Sequence, residues 1–287
     1  MAYHMEGCPM RTISAVPVLS RARRVTAIVA AGVLGSSFAA DAAPLNVVNP
    51  GFEDISGEST SNEFTFGAPN GWDLYDPDNI TNGGSGPTYY IGTLAPFETD
   101  PVGAPGVYTF ITAGAPEGAR VGIAFNFAGS GGSGEYGFEQ TLTDTLAANT
   151  RYRLEVDVIN IASGTAQSGG VFDLEGFPGY RIELLAGGQT IAADLNSLAG
   201  SITEGGFAVS VIEYTTGSAP LPPGQNLAIR LVNLNLVDPL APGADLEVDF
   251  DNVRLSAVSV PLPPMLPAMA LGCLALRARR RRGARRA

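Results

Sequence analysis

The chain has no lysine, a single histidine (His4) and two cysteines (Cys8 and Cys273), the last three all near its ends. Between Ala43 and Val260 there is no histidine, cysteine or lysine at all. That absence excludes histidine-based triads, cysteine nucleophiles, Schiff-base lysines and zinc sites of the His/Cys kind from this stretch. It also excludes disulfides, so the stretch must hold together by its core, which roughly 210 residues are enough to build. Basic charge is scarce there too. Six arginines (Arg120, Arg151, Arg153, Arg181, Arg230 and Arg254) face 26 acids, because only Glu6 and Asp41 of the chain's 28 lie outside; the segment carries a net charge of −20 against −11 for the whole chain. Such a surface repels nucleic acid and anionic lipid and can attract divalent cations. No segment of the middle shows a sustained helical stripe, and no Gly-rich phosphate loop follows a strand and opens a helix.

The two ends differ from this middle. Arg21, Arg23 and Arg24 precede an apolar centre from Val25 to Ala39, and Ala40-Asp41-Ala42 offers the small residues that signal peptidase requires. The pattern predicts a helical secretion signal over residues 1–42, cleaved after Ala42 or one residue later, with Met10 an alternative start. A membrane-spanning helix is the competing reading, but about 15 apolar residues interrupted by Gly and Ser are short for a span.

The other end reads Val260-Pro261-Leu262-Pro263-Pro264, then an apolar run from Met265 to Leu276, then Arg277 and the cluster Arg279, Arg280, Arg281 and Arg282. Residues 260–287 resemble the PEP-CTERM sorting signals read by exosortases, in the variant that begins Val-Pro-Leu-Pro. The physics agrees. Prolines end regular structure and leave a rigid entry, the short anchor helix inserts in the inner membrane transiently, and the arginines hold its end on the cytoplasmic side. The resemblance implies an exported protein of the cell envelope, cell surface or extracellular matrix. The arginine cluster, read alone, suggests nucleic acid, but its apolar neighbour makes it a topology signal.

Residues 43–258 read as one all-β domain, an antiparallel jelly-roll sandwich. Tyr152, Leu154, Val156 and Val158 alternate with Arg153, Glu155 and Asp157, the pattern of a half-buried strand. Tyr180-Ile182-Leu184 repeats it, and Gly187-Gly188 turns the chain into Thr190-Ile191-Ala192. Further strands are expected over Val121–Phe127, Phe138–Leu142, Phe207–Tyr214, Leu227–Val232 and Leu246–Leu255, with turn residues between them. In the last, Leu246, Val248 and Phe250 hold one phase while Val253, Leu255 and Ala257 hold the other, which requires a β-bulge near Asp251-Asn252.

Asn49-Pro50-Gly51-Phe52-Glu53, Gly71-Trp72 and Val248-Asp249-Phe250-Asp251-Asn252-Val253-Arg254-Leu255 resemble the opening and closing motifs of galactose-binding-like jelly rolls, carbohydrate-binding modules among them. The resemblance implies a structural Ca2+ held by Glu53 and Asp251, whose hard oxygens suit that ion. The alternative is that Glu53 caps a turn and Asp251 accepts hydrogen bonds at the bulge. It also implies sugar recognition by flat rings, for which Trp72, Tyr75, Tyr89, Tyr90, Tyr108 and Phe138 are candidates, with packing in or beside the core the favoured reading for Trp72. The acids Asp73, Asp76 and Asp78 around Tyr75 read as a solvated loop or one added calcium ligand.

A second resemblance runs alongside. Gly71-Trp72-Asp73-Leu74-Tyr75-Asp76-Pro77, Pro116-Glu117-Gly118, Phe138-Glu139-Gln140-Thr141-Leu142, Gly176-Phe177-Pro178-Gly179-Tyr180 and the closing motif are similar to the Stig cyclases, calcium-dependent sandwiches that cyclise indole-terpenoids by acid catalysis in an aromatic pocket. That kinship implies Asp249 as proton donor and Tyr89, Tyr90 and Phe138 as cavity rings. The expectation drawn from the sequence places a non-catalytic role first, binding an extracellular polysaccharide or forming matrix, with cyclase chemistry and a purely structural role as alternatives.

Overall fold

The computed structural model describes residues 42–96, 110–127, 132–219 and 224–261, all within one compact unit, Ala39–Ala287. Ala40, Tyr108, Pro263 and Arg279 to Arg282 lie outside the described residues, as do the expected signal and anchor helices. Ala42 and Pro261 are the exposed first and last residues described.

The strands, in chain order, are β1 (Ala43–Pro44), β2 (Thr60–Ser61), β3 (Phe64–Phe66), β4 (Asp73–Tyr75), β5 (Tyr89–Leu94), β6 (Val121–Asn126), β7 (Tyr136–Thr145) and β8 (Thr150–Asn160). There follow β9 (Gly164–Thr165), β10 (Val171–Phe172), β11 (Tyr180–Ala186), β12 (Gln189–Leu195), β13 (Gly206–Thr215), β14 (Asn226–Asn233) and β15 (Leu246–Ser259). No helix occurs among the described residues, and every pairing is antiparallel. One sheet runs β13-β8-β15-β6-β5-β3-β2 with β1 on β15; the other runs β12-β11-β14-β7-β4. The fold is the expected antiparallel, jelly-roll-like sandwich.

Alternation along the strands explains the layers. Tyr152, Leu154, Val156 and Val158 of β8 meet Tyr180, Ile182 and Leu184 of β11, Leu227, Ile229 and Leu231 of β14, and Phe138 of β7 in the main core. Phe52, Phe138 and Phe250 are fully buried there, each contributing about 1.5–3 kcal/mol of burial in a domain without cross-links. At Gly187-Gly188 both residues have positive φ, 57° and 80°, as a tight hairpin turn requires. The bulge falls where the phase change demands it. Asp251 pairs with Asp157 and Arg254 with Glu155, so Asn252 and Val253 oppose one residue, and Asn252 takes φ 51°. The slip returns Val253 and Leu255 to the core.

The larger sheet is covered on its other face as well. Tyr90, Leu94, Val121, Ile123, Phe125 and Ile159 form a second apolar cluster, roofed by Phe110, Ile111, Ile161 and Leu174. Hairpin β9–β10, which joins neither main sheet, brings Phe172 onto this cluster. All six residues of β6 are therefore buried.

Candidate active site

The bulged strand supplies two sites on the face opposite the main core. Upstream of the bulge, Val248 and Phe250 enter the main core, so Glu247, Asp249 and Asp251 leave the other face. Asp249 lies in register between Ile123 of β6 and Ile159 of β8, and Glu247 lies opposite Phe125, itself opposite Tyr90. Directly paired residues share a face. The two carboxyls thus sit in the second apolar cluster, Asp249 with 0% exposure and Glu247 with 4%.

Rings surround them. Tyr90 stacks on Phe125 at 4.9 Å, and Phe66 meets the edge of Tyr90 at 5.0 Å. Phe172 touches Phe64, Phe110, Phe125 and Phe127 with centroids 5.7–6.2 Å apart. Phe66 and Phe127 are 45% and 41% exposed and form the open rim of this aromatic layer.

Neither oxygen of Asp249 meets an N–H or hydroxyl donor among the described residues, and Oε1 of Glu247 is likewise without one. Their polar neighbours are each other: the two carboxyls lie within hydrogen-bonding reach. Ionised carboxylates only accept, so this contact becomes a hydrogen bond when one of the pair carries a proton. Burial pushes the Asp249 carboxyl up to about 8, the bond with Glu247 opposing it. Burial also raises Glu247 well above the usual carboxylate range, with the negative neighbours Asp249 and Asp245 adding to it. The same acids, after burial, hold the Tyr90 hydroxyl protonated.

The second site closes the chain on itself. Glu53 accepts the N–H groups of Ala119 (2.7 Å) and Arg120 (2.8 Å) through Oε1. Asp251 accepts Glu117 N–H at 2.7 Å and Asn252 N–H at 2.6 Å. Both expected calcium ligands therefore grip one turn, Glu117–Arg120. A cavity of about 350 Å3 opens here, lined by Asn49, Pro50, Gly51, Glu53, Glu117, Asn252 and Arg254. Two glycines shape it. A Cβ on Gly118 would collide with Glu53 Oε1, and one on Gly51 with Glu117 Oε2. Burial pushes Asp251 up to about 8, the carboxylates of Glu117 and Asp157 adding to it against the two backbone N–H bonds. Crowded hard oxygens of this kind fit a hard cation in chemistry. Among the described residues, no group of three His, Cys, Asp or Glu side chains is placed to hold one unaided.

The structure disperses the candidate ring residues. Trp72 and Phe138 sit in the main core, Trp72 stacked on Phe52 at 5.3 Å with its indole N–H donated to Asn49 O at 3.1 Å. Tyr89 and Tyr90 point to opposite faces, Tyr89 edge-on to Tyr136 and Tyr90 into the second cluster. Tyr75 lies on the smaller sheet with the Arg230 guanidinium 4.1 Å above its ring, and Arg230 is itself held by Glu139 and Glu183 at 2.6 and 2.8 Å. Asp76 binds the N–H groups of Ile80 and Thr81 at 2.9 and 2.8 Å, a loop cap. Of the proposed rings among the described residues, Tyr90 alone is in the cluster that holds Asp249. Glu247, Phe64, Phe110, Phe125 and Phe172 were not singled out. The signal for them was the unbroken apolar run Val121 to Phe125, which marks a strand covered on both faces.

Residues 43–256 match the HpiC1-like family, described as HpiC1 cyclase. A cyclase from Fischerella sp. TAU is 35% identical, covering 77% of this chain and 100% of its own, with a TM-score of 0.60. A cyclase from the same organism in complex with 4-(1H-indol-3-yl)butan-2-one is 33% identical, with the same coverage and TM-score. The Stig cyclase Fisc, in complex with (3Z)-3-(1-methyl-2-pyrrolidinylidene)-3H-indole, is 35% identical over 77% of this chain and 100% of its own, at TM-score 0.57. No curated protein matches the chain. These matches reverse the order expected from sequence, in which glycan binding came first and cyclase kinship second.

Proposed function

We propose that this chain, which belongs to the HpiC1-like cyclase family, is an acid-catalysing cyclase whose proton donor is Asp249. The substrate class is an indole bearing a prenyl chain. One observation carries the reading: a fully buried carboxyl, without a hydrogen-bond donor among the described residues, faces a layer of five aromatic and several aliphatic residues on the back of the larger sheet. A carboxylic acid kept neutral in apolar surroundings is a competent donor near neutral pH. Protonating an alkene creates a carbocation, and ring faces such as those of Tyr90, Phe125 and Phe172 stabilise positive charge without reacting as bases. Exclusion of water protects that cation from capture. Because Asp249 is fully buried, substrate enters only when the roof bearing Phe172 lifts, past the exposed rings Phe66 and Phe127. The relatives bound to indole compounds support the choice of substrate class.

Calcium belongs to this proposal as a structural ion. Glu53 and Asp251 would hold it, with backbone carbonyls of the same turn, and it would fasten the chain's beginning to its end. The terminal segments are proposed as export and sorting signals, removed from the chemistry. Incubating the full-length chain with a geranyl-bearing indole, and repeating this with Asp249→Asn, tests the reading: cyclised isomer is expected from the first and not the second.

A further inference from the structure

The roof over the aromatic layer is built in at its base and fastened differently at its tip. At the base, Ala162 N–H is donated to Phe110 O at 2.8 Å, Leu174 N–H to Ser163 Oγ at 2.9 Å, and Asp245 N–H to Asp173 O at 2.6 Å. Between these points β9 and β10 pair with each other, Phe172 opposite Gly164. The tip is a three-residue hairpin loop. Gly169 N–H returns to Ala166 O and Ala166 N–H bonds Gly170 O, both at 2.8 Å, with Gly169 at φ +85°. That pattern leaves the N–H of Gln167, the first loop residue, outside the hairpin's own bonding.

Glu63 takes it. Its Oε1 accepts Gln167 N–H at 2.8 Å, joining residues 104 positions apart. The post on which this bond stands is anchored in turn. Glu63 O accepts Ala95 N–H at 2.9 Å and Arg120 Nη2 at 2.8 Å, while Arg120 Nε is donated to Thr93 Oγ1 at 2.9 Å. Glu63 is 1% exposed, yet its Oε2 has no hydrogen-bond partner among the described residues. A buried polar atom left unpaired costs stability that an apolar side chain would not. At the tip, Ala166 is buried, but Gln167 to Val171 are exposed, so little apolar burial holds the loop down.

We propose that Glu63 is the positioning residue that latches the roof. Its bond to the Gln167 N–H holds the β9–β10 tip, and with it Phe172, down on the rings that surround Asp249. This role rests on the cyclase reading, in which the roof lifts for substrate entry and closes before a cation forms. One hydrogen bond is net modest: enough to favour the closed tip, and weak enough to release at each turnover. Glu63 touches no reacting atom. It acts through Phe172, by keeping water away from the cation.

The test uses the full-length chain carrying Cys8→Ser and Cys273→Ser, in which Ala166→Cys then supplies the one thiol. A thiol reagent reaches that buried position when the tip lifts, so the labelling rate reads opening without any turnover. This parent is compared with the same chain carrying Glu63→Ala, Glu63→Gln or Gln167→Pro. The proline removes the N–H at the first central position of the turn, where its fixed φ is favoured. Gln in place of Glu63 still offers an acceptor oxygen. Labelling is expected to be about tenfold faster in Glu63→Ala and in Gln167→Pro, and close to the parent in Glu63→Gln. The two loosening changes together should label no faster than either alone. With a geranyl-bearing indole, the loosened variants should form alcohol one water heavier than substrate at the expense of cyclised isomer, and Glu63→Gln should restore the isomer. Equal labelling in all of them overturns the latch and leaves the cyclase reading intact. Faster labelling with an unchanged product ratio also overturns it, because the tip then does not guard the cation. If Glu63→Ala does not fold, Gln167→Pro decides by the same two readings. Where labelling responds but the parent and the wild-type chain leave the indole untouched, the cyclase reading fails and the positioning role fails with it.

Discussion

Asp251, near the end of the domain, accepts the backbone N–H of Glu117 at 2.7 Å across 134 positions of sequence. Glu53 grips the Ala119 and Arg120 N–H groups of the same turn, so the first and last motifs of the domain meet at one point. If calcium joins them, chelation lowers the melting temperature, and Glu53→Ala or Asp251→Ala abolishes that sensitivity. At free Ca2+ one hundredfold above its Kd the ion adds about 2.7 kcal/mol. A melt unchanged by excess chelator defeats the assignment.

Gly118 has φ +63°, and a Cβ there would press into the Glu53 carboxylate. Gly118→Ala is expected to cost about 1–3 kcal/mol from backbone strain alone, and to weaken the response to calcium as well. Urea denaturation with and without the ion separates the two effects. A stability equal to wild type contradicts the described closure.

The buried acids set a pH dependence. Asp249 and Asp251 are pushed up to about 8 in the folded protein, against an ordinary value of 3.8. Between about 4 and 8 the native state binds more protons than the unfolded chain, so stability falls as pH rises. Their contribution is fully present below about 4 and is lost as pH passes through about 8. Denaturation midpoints in chelator should decline over that window, and Asp249→Asn should flatten the decline. Turnover, which needs the protonated acid, should fall over the same upper limb. A midpoint that rises from pH 5 to 8 contradicts the burial of these groups.

Phe172 joins four rings from a hairpin outside both sheets. Phe172→Ala opens the roof and admits water to the cation. Mass spectrometry should show a product one water heavier than the substrate, at the expense of the cyclised isomer. An unchanged product spectrum would remove Phe172 from the roof of the site.

The sandwich was legible because β8, β11, β14 and β15 each send apolar side chains to the main core at alternate positions, and period two then reads out directly. The bulge was legible for the same reason: Phe250 and Val253 cannot share a core unless one residue slips. The candidate site was only half legible. Asp249 and Asp251 stand in a recognisable motif, but nothing in the alternation says that their face is also covered. That information lies in β5 and β6, where Tyr90 to Leu94 carries no charge and Val121 to Phe125 carries no polar side chain. Phe172 comes from a loop hairpin that no periodicity predicts. Phe138, a candidate ring, proved to be core, and Trp72 packs there as its favoured reading had it, because Phe52 and Phe250 fill the space beside them.

The proposed cyclisation depends on Asp249 giving its proton to a substrate held beneath that roof. The most direct measurement is NMR and mass analysis of a geranyl-bearing indole after incubation with the full-length chain and with Asp249→Asn, both shown folded by circular dichroism. A cyclised isomer of unchanged mass formed by the first, and reduced at least 100-fold in the second, is the predicted result. Equal product from both, or none from the wild type, contradicts it.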